Sequence, residues 1–280
     1  TGPRVESEVI RAMMTLRLKT MASGHTGVRP KVVTAYADLL NSGLVPVVGE
    51  YGSLGCSGDL APLAHCALVL TGEGTVLTPD GDEVDAATGL AQAGLKPVSL
   101  REKEGLALIN GTDGMLSQLI MALADLDVLV PTADLATAMT VQALCGIDRV
   151  FAPDLQALRP HPGQATSAAN ILALLEGSDL IQAGREGAAK RVQDAYSLRC
   201  APQVHGAVRD TMAHALQVAR VELASAVDNP VITDDMRVES NGNFHGAPVA
   251  YVLDFLAIAA ADLASMSERR TDRMLDPARN

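Results

Sequence analysis

"YGSLGCSGDLAPLAH", residues 51–65, crowds glycines and serines around Cys56-Ser57-Gly58 and then runs straight into an apolar segment. Read plainly, this is a loop entering a helix, with Asp59 at the N-terminus, where a carboxylate suits both the free amides and the helix dipole. The same three residues are also the raw material for chemistry on the backbone. If the amide nitrogen of Gly58 attacks the carbonyl carbon of Cys56, a five-membered ring closes. Loss of water from that ring and from Ser57 leaves an imidazolone bearing an exocyclic methylidene. Gly58 has no Cβ to keep its nitrogen from the carbonyl, and its φ is free. Ser57 supplies a hydroxyl that can leave, and Gly52 and Gly55 allow a compressed turn. A helix N-terminus beside the ring would stabilise negative charge developing on it.

Outward from this loop the pattern is helical. Residues 6–22 carry Val9, Ile10, Met13, Met14, Leu16, Leu18 and Met21 at helical spread, with Gly24 as a stop. Pro30 opens a second helix that ends near Asn41, and a third runs over 59–70. Pro79-Asp80-Gly81 lies between short β-prone runs, which predicts a hairpin over 75–84. Ser99-Leu100-Arg101-Glu102 reads as a capping box starting a helix that ends at Asn110-Gly111. Further helices are expected over 114–129, 132–144, 165–175, 208–226 and 248–275, with a Pro-, His- and Gly-rich loop at 151–164. The last helix would be about 42 Å long. It is too apolar to stand alone and is expected in a bundle, packed against other subunits.

Composition agrees. Of 280 residues 48% are hydrophobic, yet only 2% are aromatic and Trp is absent, so Ala, Leu, Val and Met must build the core. That favours close-packed helices over a sandwich or barrel. A formal charge of −11 argues against nucleic acid or an anionic membrane surface as partner. No uninterrupted apolar run reaches the roughly 20 residues that span a bilayer. The nearest, 249–264, is broken by Tyr251, Asp254 and Asp262. Cys56, Cys66, Cys145 and Cys200 have neither disulfide nor zinc spacing and read as reduced thiols of a cytoplasmic protein. No HExxH-like pair suggests a metal. The chain begins at Thr1 on the approach to a helix and is read as the central piece of a longer polypeptide.

"GSLGCSGDLAPLAH" resembles the signature of the aromatic amino acid ammonia-lyases, which make a 4-methylidene-imidazol-5-one (MIO) group from an Ala-Ser-Gly-type tripeptide. Cys56 stands in the commoner Ala position, where the residue contributes its carbonyl while its side chain stays outside the ring. "NGTDGML" (110–116), "RPHPGQ" (159–164), "QDAYSLRCAPQVHG" (193–206), "NGNFHGAPVA" (241–250) and "SERRTDRMLD" (267–276) resemble the same family, in the expected order and over essentially the whole chain. "GNFHG" and "SERR" look most like its histidine-specific branch, which converts L-histidine to trans-urocanate.

The resemblance implies a mostly α fold, a long-helix bundle core with a small β-hairpin excursion. Residues 1–280 would form one mostly helical domain, with the MIO loop and following helix at 51–70 and the long-helix core at 165–280. It implies a homotetramer with sites shared between subunits, a small amino acid as substrate, an autocatalytically formed MIO, and no metal or nucleotide. Cys56, Ser57 and Gly58 would form the electrophile, with Asp59 as helper. Asn110 would hydrogen-bond near it, and Phe244 would pack beside the ring. Tyr196 would line the site beside the substrate amine, Gln193 would be a polar neighbour, and Arg199 would pair with the substrate carboxylate, for which a planar bidentate guanidinium is suited. The catalytic base of the family is a tyrosine on a loop preceding the stretch seen here, so the 280-residue chain alone is expected to turn over little or no substrate.

Plainer readings stand beside these. Asn110-Gly111 is also a helix C-cap, Arg199 a structural ion pair, and Tyr196 a core tyrosine. His245 is expected to be a satisfied buried imidazole. Arg269, Arg270 and Arg273, with Glu268 and Asp272, are expected to form solvated or inter-subunit pairs. The same chemistry on phenylalanine or tyrosine, an aminomutase, and a non-catalytic oligomerising helical core are the rival functions. A serine hydrolase is disfavoured, because Gly55-Cys56-Ser57-Gly58 lacks the G-x-S-x-G spacing.

Overall fold

With Leu, Ala, Val and Met at helical spacing and almost no aromatic residues, packing helix on helix is the way to bury this chain. The computed structural model, which describes residues 1–56, 58–187 and 191–277, is accordingly mostly helical. The helices are α1 (Ser7–Ala22), α2 (Pro30–Asn41), α3 (Leu60–Thr71), α4 (Ala86–Gln92), α5 (Glu104–Ile109), α6 (Asp113–Ala143), α7 (Pro153–Ala157), α8 (Pro162–Leu175), α9 (Asp179–Arg185), α10 (Tyr196–Arg199), α11 (Ala201–Ala224) and α12 (Ala247–Leu275). The hairpin forms as β2 (Thr75–Leu77) against β3 (Glu83–Asp85), with Val76 opposite Val84. It gains a third antiparallel strand, β1 (Val45–Pro46), and a separate two-stranded ribbon joins β4 (Val231–Ile232) to β5 (Val238–Glu239).

Contacts divide the chain into two units. The first comprises Thr1–Met121 and Val218–Tyr251, the second Ala122–Gln217 and Val252–Asn280. In the first, Met13 and Met14 of α1, Tyr36 and Leu39 of α2, Leu63 and Cys66 of α3, and Leu108 of α5 pack together. In the second, Val141, Phe151, Ile171, Ile181 and Leu198 form one cluster, and Val130, Val208 and Leu263 a smaller one.

Four expectations are corrected. The sequence predicts a break at Pro131, yet α6 runs through it. Proline removes one donor, the partner of the Asp127 carbonyl, and both residues lie on the exposed side of the helix, where the loss costs least. The neighbouring Thr132 Oγ1 donates to the Val128 carbonyl at 2.8 Å. The capping box at 99–102 does not form. Lys103 instead takes φ 70°, and α5 starts at Glu104, whose carboxylate accepts the Arg101 amide at 2.7 Å and the Arg29 guanidinium at 2.6 and 2.7 Å. A tertiary ion pair thus overrides the local motif. The stretch 151–164, expected as a loop, follows a 3₁₀ turn at Asp148–Phe151 and contains helix α7. Finally, α8 and α11 begin earlier than expected, at Pro162 and Ala201.

α12 is long and apolar enough to cross a membrane by length and composition, with a mean hydropathy of 1.7 in its most apolar window, of which only 28% is buried. Tyr251, Asp254 and Asp262 punctuate the helix.

Candidate active site

The loop before α3 is held from three sides. The Cys56 amide donates back to the Leu54 carbonyl at 2.7 Å, and the Gly55 carbonyl accepts the Gly246 amide at 2.8 Å, just before α12. The Asp59 amide donates to the Gly111 carbonyl at 2.7 Å. Gly58 is buried at φ +77°, and a Cβ added there would lie 2.4 Å from the Gly111 carbonyl oxygen and 3.2 Å from that of Phe244. Only glycine fits this position. A ring built from the backbone at 56–58 needs a bare α-carbon at its third residue, and the seat of Gly58 demands one. The Cys56 side chain is exposed, as a group outside the ring must be free to be. Ser57 lies outside the described residues.

Asp59 is fully buried, but its side chain does not cap α3 as the sequence suggested. One oxygen accepts the Met115 amide at 2.9 Å, so the carboxylate caps α6 instead. Its other oxygen, Oδ1, is buried without a hydrogen-bond partner. Burial pushes the carboxyl up to about 6, against the pull of the Met115 amide.

Asn110 is buried at the C-cap of α5, as the plainer reading has it. Its Nδ2 donates to the Asn229 carbonyl at 2.9 Å, and its own carbonyl accepts from Arg17 Nη1 at 2.8 Å. The Asn229 side chain accepts the Asn241 amide at 2.8 Å, which anchors the turn carrying half-buried Phe244. His245 is exposed rather than buried, and its Nδ1 faces the Ala247 amide at 3.2 Å, at the start of α12. Cys56, Gly58, Asp59, Asn110 and Phe244 therefore come together in the first unit.

Gln193, Tyr196 and Arg199 belong to the second unit. Tyr196 is 71% exposed, which overturns the core-tyrosine reading. The Arg199 guanidinium lies over its ring, 4.6 Å from the centroid, a cation–π contact that fixes both side chains on the single turn of α10. Arg199 Nε is buried with no hydrogen-bond partner. Gln193 is exposed, while its neighbour Asp194 pairs with Arg191 at 2.6 Å and accepts the Ile147 amide at 2.7 Å, holding the approach to α10. Arg270, expected in a solvated or inter-subunit pair, is buried and donates to the Ser197 carbonyl of α10 at 3.3 Å. Arg269 keeps its exposed pairs with Glu268 and Asp272.

Sequence reasoning missed two buried polar groups. In the second unit, Asp134 accepts from His205 at 2.7 Å, Arg209 at 2.6 Å and Asn170 at 2.9 Å. In the first, fully buried Arg17 reaches both Asn110 and Val227. Arg17 was legible: it follows Met13 by four residues and precedes Met21 by four, so a cation stands on the apolar face of α1. Among the described residues no cluster of His, Cys, Asp and Glu is arranged to hold a metal.

Comparison with known proteins is consistent across the chain. The family model described as aromatic amino acid lyase matches residues 1–280. The histidine ammonia-lyase of Streptomyces avermitilis is 67% identical over 279 residues, covering 100% of this chain and 54% of that protein. The crystal structure of histidine ammonia-lyase from Trypanosoma cruzi superposes with a TM-score of 0.88 at 37% identity, over 100% of this chain and 52% of that one. Tyrosine aminomutase from Streptomyces globisporus gives a TM-score of 0.88 at 40% identity, over 99% of this chain and 55% of that one. The chain thus spans about half the length of the curated relatives it matches.

Proposed function

The chain belongs to the aromatic amino acid lyase family, and on that premise we propose that it is the part of a histidine ammonia-lyase that forms the electrophile and binds the substrate carboxylate. The enzyme would eliminate ammonia from L-histidine to give trans-urocanate. The observation that carries this reading is the seat of Gly58, where the Gly111 carbonyl occupies the space of any side chain.

In this reading Cys56, Ser57 and Gly58 condense into MIO, which supplies an electrophilic carbon for the substrate amine. Asp59 ties the loop to α6 through Met115. Asn110 commits one amide N–H to Asn229 and has a second to offer the ring. Phe244 walls the ring from water. Arg199 binds the substrate carboxylate through a guanidinium whose Nε has no protein partner. Tyr196 holds that guanidinium by its ring face and, as the family resemblance implies, lines the substrate site. Gln193 adds a polar contact. No metal or nucleotide takes part. The assembly is a cytoplasmic homotetramer, a reading supported by four free cysteines and by the exposed apolar face of α12.

Identity supports histidine as substrate: 67% to the Streptomyces avermitilis enzyme, against 40% to the tyrosine aminomutase. A second reading, lyase or aminomutase chemistry on tyrosine or phenylalanine, is kept because the two folds superpose equally well on this one. The test is the full-length protein given L-histidine, L-phenylalanine or L-tyrosine, with product followed by ultraviolet absorption and the intact mass measured alongside. Urocanate formation and a mass deficit of two waters are expected. Cinnamate or coumarate in place of urocanate moves the assignment to the second reading. An unmodified mass with no product leaves a non-catalytic helical core.

A further inference from the structure

Arg17 is an expensive residue to keep where it is. Its guanidinium is fully buried, in a core that includes Met13 and Met14, and its Nε finds no partner. It does not form a tight bidentate pair. Nη1 donates to the Asn110 carbonyl at 2.8 Å, Nη2 donates to the Val227 carbonyl at 2.8 Å, and Asp113 Oδ2 stands 3.5 Å from Nη1. Asp113 is itself buried, and desolvation raises its carboxyl while Arg17 pulls it back. The cation therefore grips both ends of the connector 110–113 between α5 and α6, and also the segment leading to Asn229, on which the Asn110 side chain rests.

Gly111 lies at the middle of that connector. A Cβ added to it would lie 2.6 Å from Arg17 Nη1 and 2.3 Å from Asp113 Oδ2, so the guanidinium backs directly onto the peptide. On the opposite side, the Gly111 carbonyl receives the Asp59 amide at 2.7 Å and fills the place of a Gly58 side chain. Gly111 is clamped between a buried cation and the loop in which the backbone is to condense.

We propose that Arg17 is a positioning residue for ring closure: by bracing the 110–113 connector it holds the Gly111 carbonyl against Gly58–Asp59, keeping the Gly58 nitrogen within reach of the Cys56 carbonyl carbon. The inference rests on the proposed MIO chemistry. In that chemistry the Gly58 nitrogen bonds to the Cys56 carbon, and the Gly58 amide proton passes to the carbonyl oxygen. The resulting hydroxyl leaves as water with the Ser57 amide proton. A second water leaves from the Ser57 hydroxyl and its α-hydrogen. No oxidant or co-reactant is needed. A loosened connector lets the turn relax, and relaxation of the reacting atoms by a fraction of an ångström lowers such rates by an order of magnitude or more.

The test follows the intact mass of the full-length protein with time after synthesis, for the wild type, Arg17→Met, Arg17→Lys and the control Met14→Ala. Met14 is a fully buried apolar neighbour on α1, and its truncation measures what lost stability alone does to ring closure. The wild type and Met14→Ala are expected to reach the two-water deficit. Arg17→Met is expected to fold, by circular dichroism and a cooperative melt, while losing the waters about tenfold or more slowly. Arg17→Lys, which keeps the charge but only a point donor, is expected to fall between. If Arg17→Met does not fold, the Lys variant decides. Maturation of a folded Arg17 variant at the wild-type rate overturns the proposal, as does equal slowing in Met14→Ala. A wild type that never loses water sinks the MIO reading first, and this inference with it.

Discussion

Gly58 combines a left-handed φ of +77° with a carbonyl oxygen 2.4 Å from where its Cβ would stand, so a side chain meets two separate penalties. The backbone strain alone costs about 1–2 kcal/mol, and the clash must be relieved by moving Gly111 as well. Gly58→Ala is therefore expected to leave the chain without the two-water mass loss, as read by intact mass spectrometry. Asp59, one residue on, makes a pH prediction. Its buried carboxyl titrates near 6, against 3.8 in an exposed chain, so on raising the pH the unfolded state ionises first. Stability then falls between about pH 4 and pH 6 and levels off above, by roughly 3 kcal/mol for a two-unit shift. Asp59→Asn keeps the acceptor for Met115 without the charge. The difference in melting temperature between wild type and variant should therefore shift in the variant's favour across that window and be constant beyond it. A pH-independent difference would show that Asp59 is not held near 6.

At the scale of elements, α5 and α10 show how tertiary partners set local structure. Glu104 opens α5 and binds Arg29, which holds its carboxyl down to about 2, chiefly through that hydrogen bond. The sign is opposite to that of Asp59: this contribution is complete above the normal carboxylate range and disappears as pH falls from about 4.5 toward 2. Glu104→Gln should cost about 1–3 kcal/mol at neutral pH, since Arg29 remains partly solvated. As pH is lowered to about 2 the gap to wild type should close in chemical denaturation. In α10 the guanidinium of Arg199 is pre-set over Tyr196. Arg199→Lys keeps the charge but loses the planar fork, so kcat/KM for L-histidine in the full-length enzyme should drop about tenfold or more, mainly through KM. An unchanged KM would remove Arg199 from the carboxylate.

For the whole molecule, α12 is the element that asks for partners. Tyr251, Phe255 and Ile258 follow one another at helical spacing and are 74%, 50% and 68% exposed, an apolar strip that water does not favour. The double variant Phe255→Glu with Ile258→Glu is expected to break the proposed tetramer into smaller species in light scattering while the helical circular dichroism persists. Retention of the tetramer would place the interface elsewhere.

The helical architecture was legible in the sequence because composition left no other core: with Ala, Leu, Val and Met and hardly an aromatic ring, only helices could bury the chain. The need for glycine at 58 was legible because a close backbone approach depends on residue type, and the hairpin because its turn residues are local. What tertiary structure alone decided are the long-range facts. Asp59 caps α6 rather than α3, Glu104 rather than Glu102 reaches back at α5, Pro131 rides inside a helix, and Arg270 lies buried under α10. Each depends on a partner dozens of residues away or on which side of a helix faces water. Spacing along the chain records neither, because burial and hydrogen-bond partners are set only once the elements have packed.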